Sequence, residues 1–249
     1  ITEAGLYKFE LDASDTNAPT LLISDGRPFG AAVPLLRGDM NGWDESTPLT
    51  LTGVSDYIAI VDLTAGTYGF KVATADWATV NLGAATADDI AVSPGTSVNL
   101  LQGSNDNLSL TIVDDGSYVF VVDASDPAAP TLTVRNQELF AGSTVLLRGD
   151  MNGWDESTPL VYNGDGTYSI SVNLTAAAYG FKLASADWST VNLGATSVDT
   201  VTVTVGEALD LLQGSNDNLS LTIATDGDYL FTVLPLADYS SVQLLVTGP

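Results

Sequence analysis

The chain of 249 residues carries 7 basic and 31 acidic side chains, a formal charge of −24, with 45% hydrophobic residues and neither cysteine nor histidine. That balance supports packed cores rather than disorder and repels phosphate backbones and anionic membranes. It also removes disulfides, thiol nucleophiles, Cys/His zinc sites and Ser-His-Asp chemistry, so the expected partners include no nucleic acid and no membrane insertion.

In chain order, the first predicted element is a strand pair over residues 5–23, GLYKFELDASDTNAPTLLI, followed by a short linker, SDGRPFG, at 24–30. Next comes LLRGDMNGWDESTPL at 35–49, a strand running into a loop through the turn signal Asn41-Gly42. Alternating residues predict a strand at 57–62, with Tyr57, Ala59 and Val61 on one face and Ile58, Ile60 and Asp62 on the other. A strand at 68–73 leads into ADWATVNLG, Pro94-Gly95 marks a turn, and LLQGSNDNLSLTI occupies 100–112. After Asp115-Gly116, Tyr118, Phe120 and Val122 share one face of a further strand, which turns at Asp126-Pro127 before the linker RNQELFAG at 135–142.

From there the chain repeats itself. A shift of 111 residues brings 35–49 onto an identical 146–160 and 100–112 onto an identical 211–223, while 68–83 answers 179–194. The same shift lays residues 5–23 on 116–134, so the opening strand pair matches the tail of a repeat. It belongs either to a longer array or to a neighbouring molecule that uses it in trans. The expected organisation is residues 1–29 as the C-terminal hairpin of a preceding repeat plus linker, 30–138 as repeat 1 and 139–249 as repeat 2. Short strands at this spacing, with no capped helical periodicity, predict an all-β chain of tandem immunoglobulin-like antiparallel β-sandwiches.

The chemistry-bearing residues recur with the repeat. Trp43 and Trp77, with Trp154 and Trp188 in the second copy, offer flat apolar plates beside polar groups, which is what the CH faces and hydroxyl rim of a sugar require. A tryptophan after a strand also serves as a residue at the rim of a core, and that reading stays open. Lys71 and Lys182 stand at the same place in each copy of a chain with few cations. Arg37-Gly38-Asp39 and Arg148-Gly149-Asp150 form Arg-Gly-Asp triplets, whose arginine is expected to pair with a neighbouring carboxylate. Adjacent carboxylates such as Asp44-Glu45 and Asp155-Glu156 are the pairs a glycosidase would need, but short loops on small sandwiches give no deep groove, and no enzyme is expected. No cofactor is expected; acidic loops at 12–15, 123–126 and 163–166 offer oxygen ligands for a structural calcium ion.

The order Asn-Gly-Trp at 41–43, Tyr-x-Phe-Lys at 68–71, Asp-Trp at 76–77 and Asn-Asp-Asn-Leu at 105–108 resembles the glycogen- and starch-binding early-set β-sandwiches. These include the glycogen-binding domain of AMP-activated protein kinase and accessory modules of pullulanase-type enzymes, to which YVFVVDASDPAAPTLTV at 118–134 is especially similar. Met40 and the turn ATADW at 73–77 depart from that pattern. The resemblance implies two tryptophans stacked on glucose rings, with a lysine and an asparagine bonding the hydroxyls: Trp43, Trp77, Lys71 and Asn107 (with Asn105 beside it), and Trp154, Trp188, Lys182 and Asn218 (with Asn216). The expected function is a non-catalytic, extracellular or cell-surface α-glucan-binding tandem whose partner is a polysaccharide. The alternative is a structural repeat unit of an extracellular filament or surface array, self-associating through strand pairing or meeting neighbouring repeats of a longer chain.

Overall fold

The computed structural model describes residues 5–196, 201–236, 239 and 241–249, which form two compact units, Ile1–Asn136 and Gln137–Pro249. The first begins with β1 (Tyr7–Asp12) and β2 (Thr20–Asp25), an antiparallel pair that forms a two-stranded sheet of its own. Its sandwich consists of β3 (Leu35–Gly38), β4 (Thr50–Thr52), β5 (Asp56–Leu63), β6 (Gly66–Ala73), β7 (Asn81–Ala84), β8 (Ala91–Val92), β9 (Ser97–Gln102), β10 (Leu108–Ile112), β11 (Gly116–Asp123) and β12 (Thr131–Asn136). No α-helix occurs among the described residues.

One layer runs β4-β5-β11-β12, and the other contains β3, β6, β7, β10 and β8. β9 belongs to both: residues 97–99 pair with β12 and residues 100–102 pair with β7, closing one edge. The period-2 pattern turns Phe120, Val122, Leu132 and Val134 of one layer toward Leu36, Phe70, Val72, Leu108 and Leu110 of the other, and all are fully buried. Phe70 and Phe120 meet edge to face at the centre, their ring centroids 5.5 Å apart. The strands expected at 57–62, 68–73 and 118–122 therefore form, as does the all-β sandwich fold.

The second unit repeats this layout, with Phe181 and Phe231 edge to face at 5.6 Å. The counterpart of β9 is broken at Leu211 into Ala208–Asp210 and Leu212–Gln213, one for each layer. At the last strand the spacing slips by one residue. Phe120 pairs with Val134 and Phe231 with Val246, so the first partners differ by 231 − 120 = 111 and the second by 246 − 134 = 112.

Candidate functional site

The candidate site lies on the outer face of the β3-β6 layer. Arg37 of β3 and Lys71 of β6 are cross-strand partners and share that face, away from Phe70 and Val72. After β3 the chain makes a tight 3₁₀ turn over Asp39–Asn41 and reaches Trp43; after β6 it turns over residues 74–80 and presents Trp77. The two indoles come together, with ring centroids 6.3 Å apart and planes inclined by 30°. Trp154 and Trp188 do the same at 6.3 Å and 32°. Trp43, Trp154 and Trp188 are half-buried and Trp77 is 37% exposed, so each pair keeps ring surface open to water.

Their backbones are unusual. Trp43, Trp77, Trp154 and Trp188 have φ of 65°, 56°, 65° and 58°, and with Tyr239 they are the non-glycine residues at positive φ among the described residues. A bulky L-residue in the left-handed region costs about 1–2 kcal/mol and persists only where its surroundings impose it. Those surroundings are identifiable. Asn41 accepts the amides of Gly38 (3.0 Å) and Trp43 (3.2 Å) and donates to the Leu36 carbonyl (2.7 Å) and Thr47 Oγ1 (3.1 Å). Asp39 accepts the Trp43 indole N–H at 3.0 Å on one oxygen and the Gly69 amide at 2.7 Å on the other, fastening the ring to β6. Gly69 eases this close approach, since a Cβ there would lie 3.1 Å from the Asp39 carboxylate and press it away from the amide it accepts.

Arg37 joins the two loops. Its Nε and Nη2 donate to the Trp43 carbonyl at 3.0 and 2.7 Å, Nη1 reaches the carbonyls of Thr74 (3.5 Å) and Ala75 (3.4 Å), and the guanidinium lies 4.1 Å from the centroid of Trp77. Arg148 repeats the arrangement around Trp154 and Trp188. The expected pairing of Arg37 with a carboxylate is thus corrected. The buried guanidinium fork satisfies carbonyls at a strand end that no ladder reaches, so the arginine is not displayed as a surface triplet.

Asp76 organises the Trp77 turn, accepting the Thr74 hydroxyl, the Thr79 hydroxyl at 2.7 Å, and the amides of Ala78 and Thr79 at 3.0 and 3.1 Å. Led by the Thr74 bond, these hold its carboxyl well below the usual range; Asp187 is lowered likewise by Ser185, Ser189 and Thr190. Beside this turn lies an open depression of about 630 Å³, with Glu45, Asp76 and Thr79 among its polar lining residues and Ala32, Val33 and Leu35 among the apolar ones.

Lys71 takes a different position from the rim expected of it. It is 6% exposed, and its Nζ donates to the Ser104 carbonyl and to Asn81 Oδ1 at 3.4 Å. β7 covers one end of β6 and β10 the other, leaving an interval at Lys71 that the loop at 104–107 fills. Burial lowers the lysine pKa, partly offset by the Asp106 charge. Lys182 is held in the same way by Ser215 and Asn192. The amine fastens the loop that carries exposed Asn105 and Asn107, and the second copy does the same for exposed Asn216 and Asn218. The structure therefore joins the two tryptophans directly and relates Lys71 and Asn107 to them across β6. Asp39 and Arg37, with Asp150 and Arg148, are the site residues the sequence reading missed.

The other acidic groups serve their own turns. Asp44 accepts the Ser46 amide and hydroxyl at 2.8 and 2.6 Å, which lowers its pKa. Asp12, Asp123 and Asp165 each accept the amide two residues on, at 2.9, 2.8 and 3.0 Å. Among the described residues, no three carboxylates gather in a geometry to hold a metal ion, and no helix is long and apolar enough to cross a membrane.

No family model and no curated protein matches the chain. Among solved structures, one described as "Ligand induced structure of AmyP-SBD", a starch-binding domain, is similar at 24% identity and a TM-score of 0.36, over 44% of this chain and 74% of that one.

Proposed function

We propose that each sandwich is a non-catalytic, extracellular α-glucan-binding module that stacks glucose rings on its tryptophan pair. The observation that carries this reading is the placement of all four tryptophans at positive φ, in two inclined and partly open pairs. A tryptophan serving only a core needs no left-handed backbone, and strain retained at both copies of both loops favours a ligand role. Two indoles inclined by 30° suit successive glucose rings of a turning α-glucan chain better than those of a flat ribbon. Asn107, Glu45 and Thr79, with Asn218 in the second copy, supply the polar rim, while Lys71 and Lys182 position the asparagine loop. Two such plates on one polypeptide convert weak single-site affinity into avidity when one polymer reaches both.

Affinity electrophoresis through soluble starch, glycogen, laminarin and a sugar-free gel tests the proposal. Retardation by starch and glycogen is expected, weaker with Trp43→Ala or Trp154→Ala and abolished when Trp43, Trp77, Trp154 and Trp188 are all alanine. Unchanged retardation of the quadruple variant refutes it.

A further inference from the structure

The β1-β2 hairpin has the sequence and register of a sandwich interior, yet it lies outside one. Phe9 pairs with Ile23 and Leu11 with Leu21, just as Phe120 pairs with Val134 and Val122 with Leu132, and Tyr7 opposite Asp25 matches Tyr118 opposite Asn136. Every one of these positions is offset by 111 residues. In β11 and β12, Phe120, Val122, Leu132 and Val134 are all 0% exposed. Their counterparts Phe9, Leu11, Leu21 and Ile23 are 59%, 69%, 58% and 44% exposed.

The hairpin is also lopsided. Those four residues share a face, while the opposite face carries a single large apolar side chain, exposed Leu22, beside Lys8 and Glu10, which are ion-paired at 2.8 Å where β11 has Val119 and Val121. A two-stranded sheet with one bare apolar face lacks the burial that makes a hairpin stable by itself. Among the described residues no further strand borders the pair on either edge, whereas β11 is bordered by β5 and β12 by β9.

We propose that β1 and β2 are the closing strand pair of a further sandwich, completed by another copy of the repeat body, the stretch equivalent to residues 30–115. The occupant is specified by what β11 and β12 meet in the first sandwich. It must offer one strand like β5 beside β1, one like β9 beside β2, and a phenylalanine like Phe70 edge-on to Phe9. The register match decides for this occupant over an unrelated apolar partner, because a slip of one residue would turn Phe9 and Leu11 outward and bring Lys8 and Glu10 in. The inference stands apart from sugar binding, since it uses no tryptophan.

Hydrogen exchange tests it on two chains: the protein as it is, and the same chain with a second copy of residues 30–115 joined directly ahead of Gly5, reproducing the junction between Asp115 and Gly116. In the first, the β1 and β2 amides should exchange rapidly while those of β11 and β12 are protected. In the extended chain, protection of β1 and β2 should rise to the level of β11 and β12, and binding of an apolar dye should fall. Phe9→Asp should abolish the gain in the extended chain and leave exchange in the unextended one unchanged. Continued rapid exchange in the extended chain overturns the proposal. So does protection in the unextended chain, whether present in the monomer or rising with protein concentration, which would mark pairing between chains instead.

Discussion

Replacing Trp77 and Trp188 by glycine in one variant and by alanine in another isolates the backbone contribution at the site. Both changes remove the ring, its contact with the neighbouring indole and its stacking on Arg37 or Arg148, so those losses cancel in the comparison. What differs is the Cβ at φ of 56° and 58°. An L-residue there carries about 1–2 kcal/mol of strain that glycine escapes. Glycine's greater freedom in the unfolded chain returns about 0.5–1 kcal/mol. The net expectation is that the glycine variant is more stable by about 0.5–1 kcal/mol per sandwich, roughly 4 °C in melting temperature, the reverse of the usual preference. Urea and thermal unfolding followed by circular dichroism measure the difference, and starch gels should show equal loss of retardation for both variants. An alanine variant as stable as the glycine one, or more so, would refute the inference from strain to function.

Arg37→Lys with Arg148→Lys keeps the charge but loses the fork to the tryptophan carbonyl and the planar stack, so it should cost about 2–3 kcal/mol per sandwich and reduce starch retardation with every indole still present; unchanged retardation in native gels would show that the plate holds without the arginine. Asp76 and Asp187 are held below their ordinary pKa in the folded state. The unfolded chain therefore takes up their protons first, near about pH 4; the stability they contribute is full above that value and is lost as pH falls toward the folded-state pKa. Asp76→Asn with Asp187→Asn should accordingly flatten the decline of melting temperature below about pH 4, and an unaltered acid profile would contradict the hydrogen bonding described for these turns.

The parts of the fold that were legible in the sequence are those fixed by local pattern. Alternation in 57–62 and 118–122 marked strands, Asn41-Gly42 marked a turn in which Gly42 takes φ of 65°, and the internal match at 111 residues delimited the repeat. The tryptophans were found by type and spacing. Their backbone conformation was not, because tryptophan has no intrinsic preference for positive φ; Asn41 and Asp39 bond Trp43 from within the same turn, and Arg37 reaches carbonyls 37 and 38 residues away. Lys71 recurs in a chain with few cations and matches the lysine of the resembled motif, which points to sugar hydroxyls; neither signal shows the loop 33 residues on whose carbonyl takes up its amine. The one-residue slip in the final strand escaped notice for a related reason, since the pairing of Phe231 with Val246 is read from a ladder and not from similarity.

The way the first indole is fastened limits what it can contribute to recognition. Trp43 has one polar atom, its N–H, and Asp39 holds it against β6. Trp154 is committed to Asp150 in the same manner. These rings can therefore meet a sugar only with their apolar faces, which attract any pyranose presenting CH groups and discriminate little among hydroxyl patterns. Under the proposed function, selectivity falls instead to the 30° inclination between the planes and to polar groups outside the rings. On the proposed function, exchanging Trp43 for another aromatic should change affinity more than preference, whereas altering the angle, which Arg37 fixes by bonding one loop and stacking on the other, should change which glucan is retarded most in the gel series.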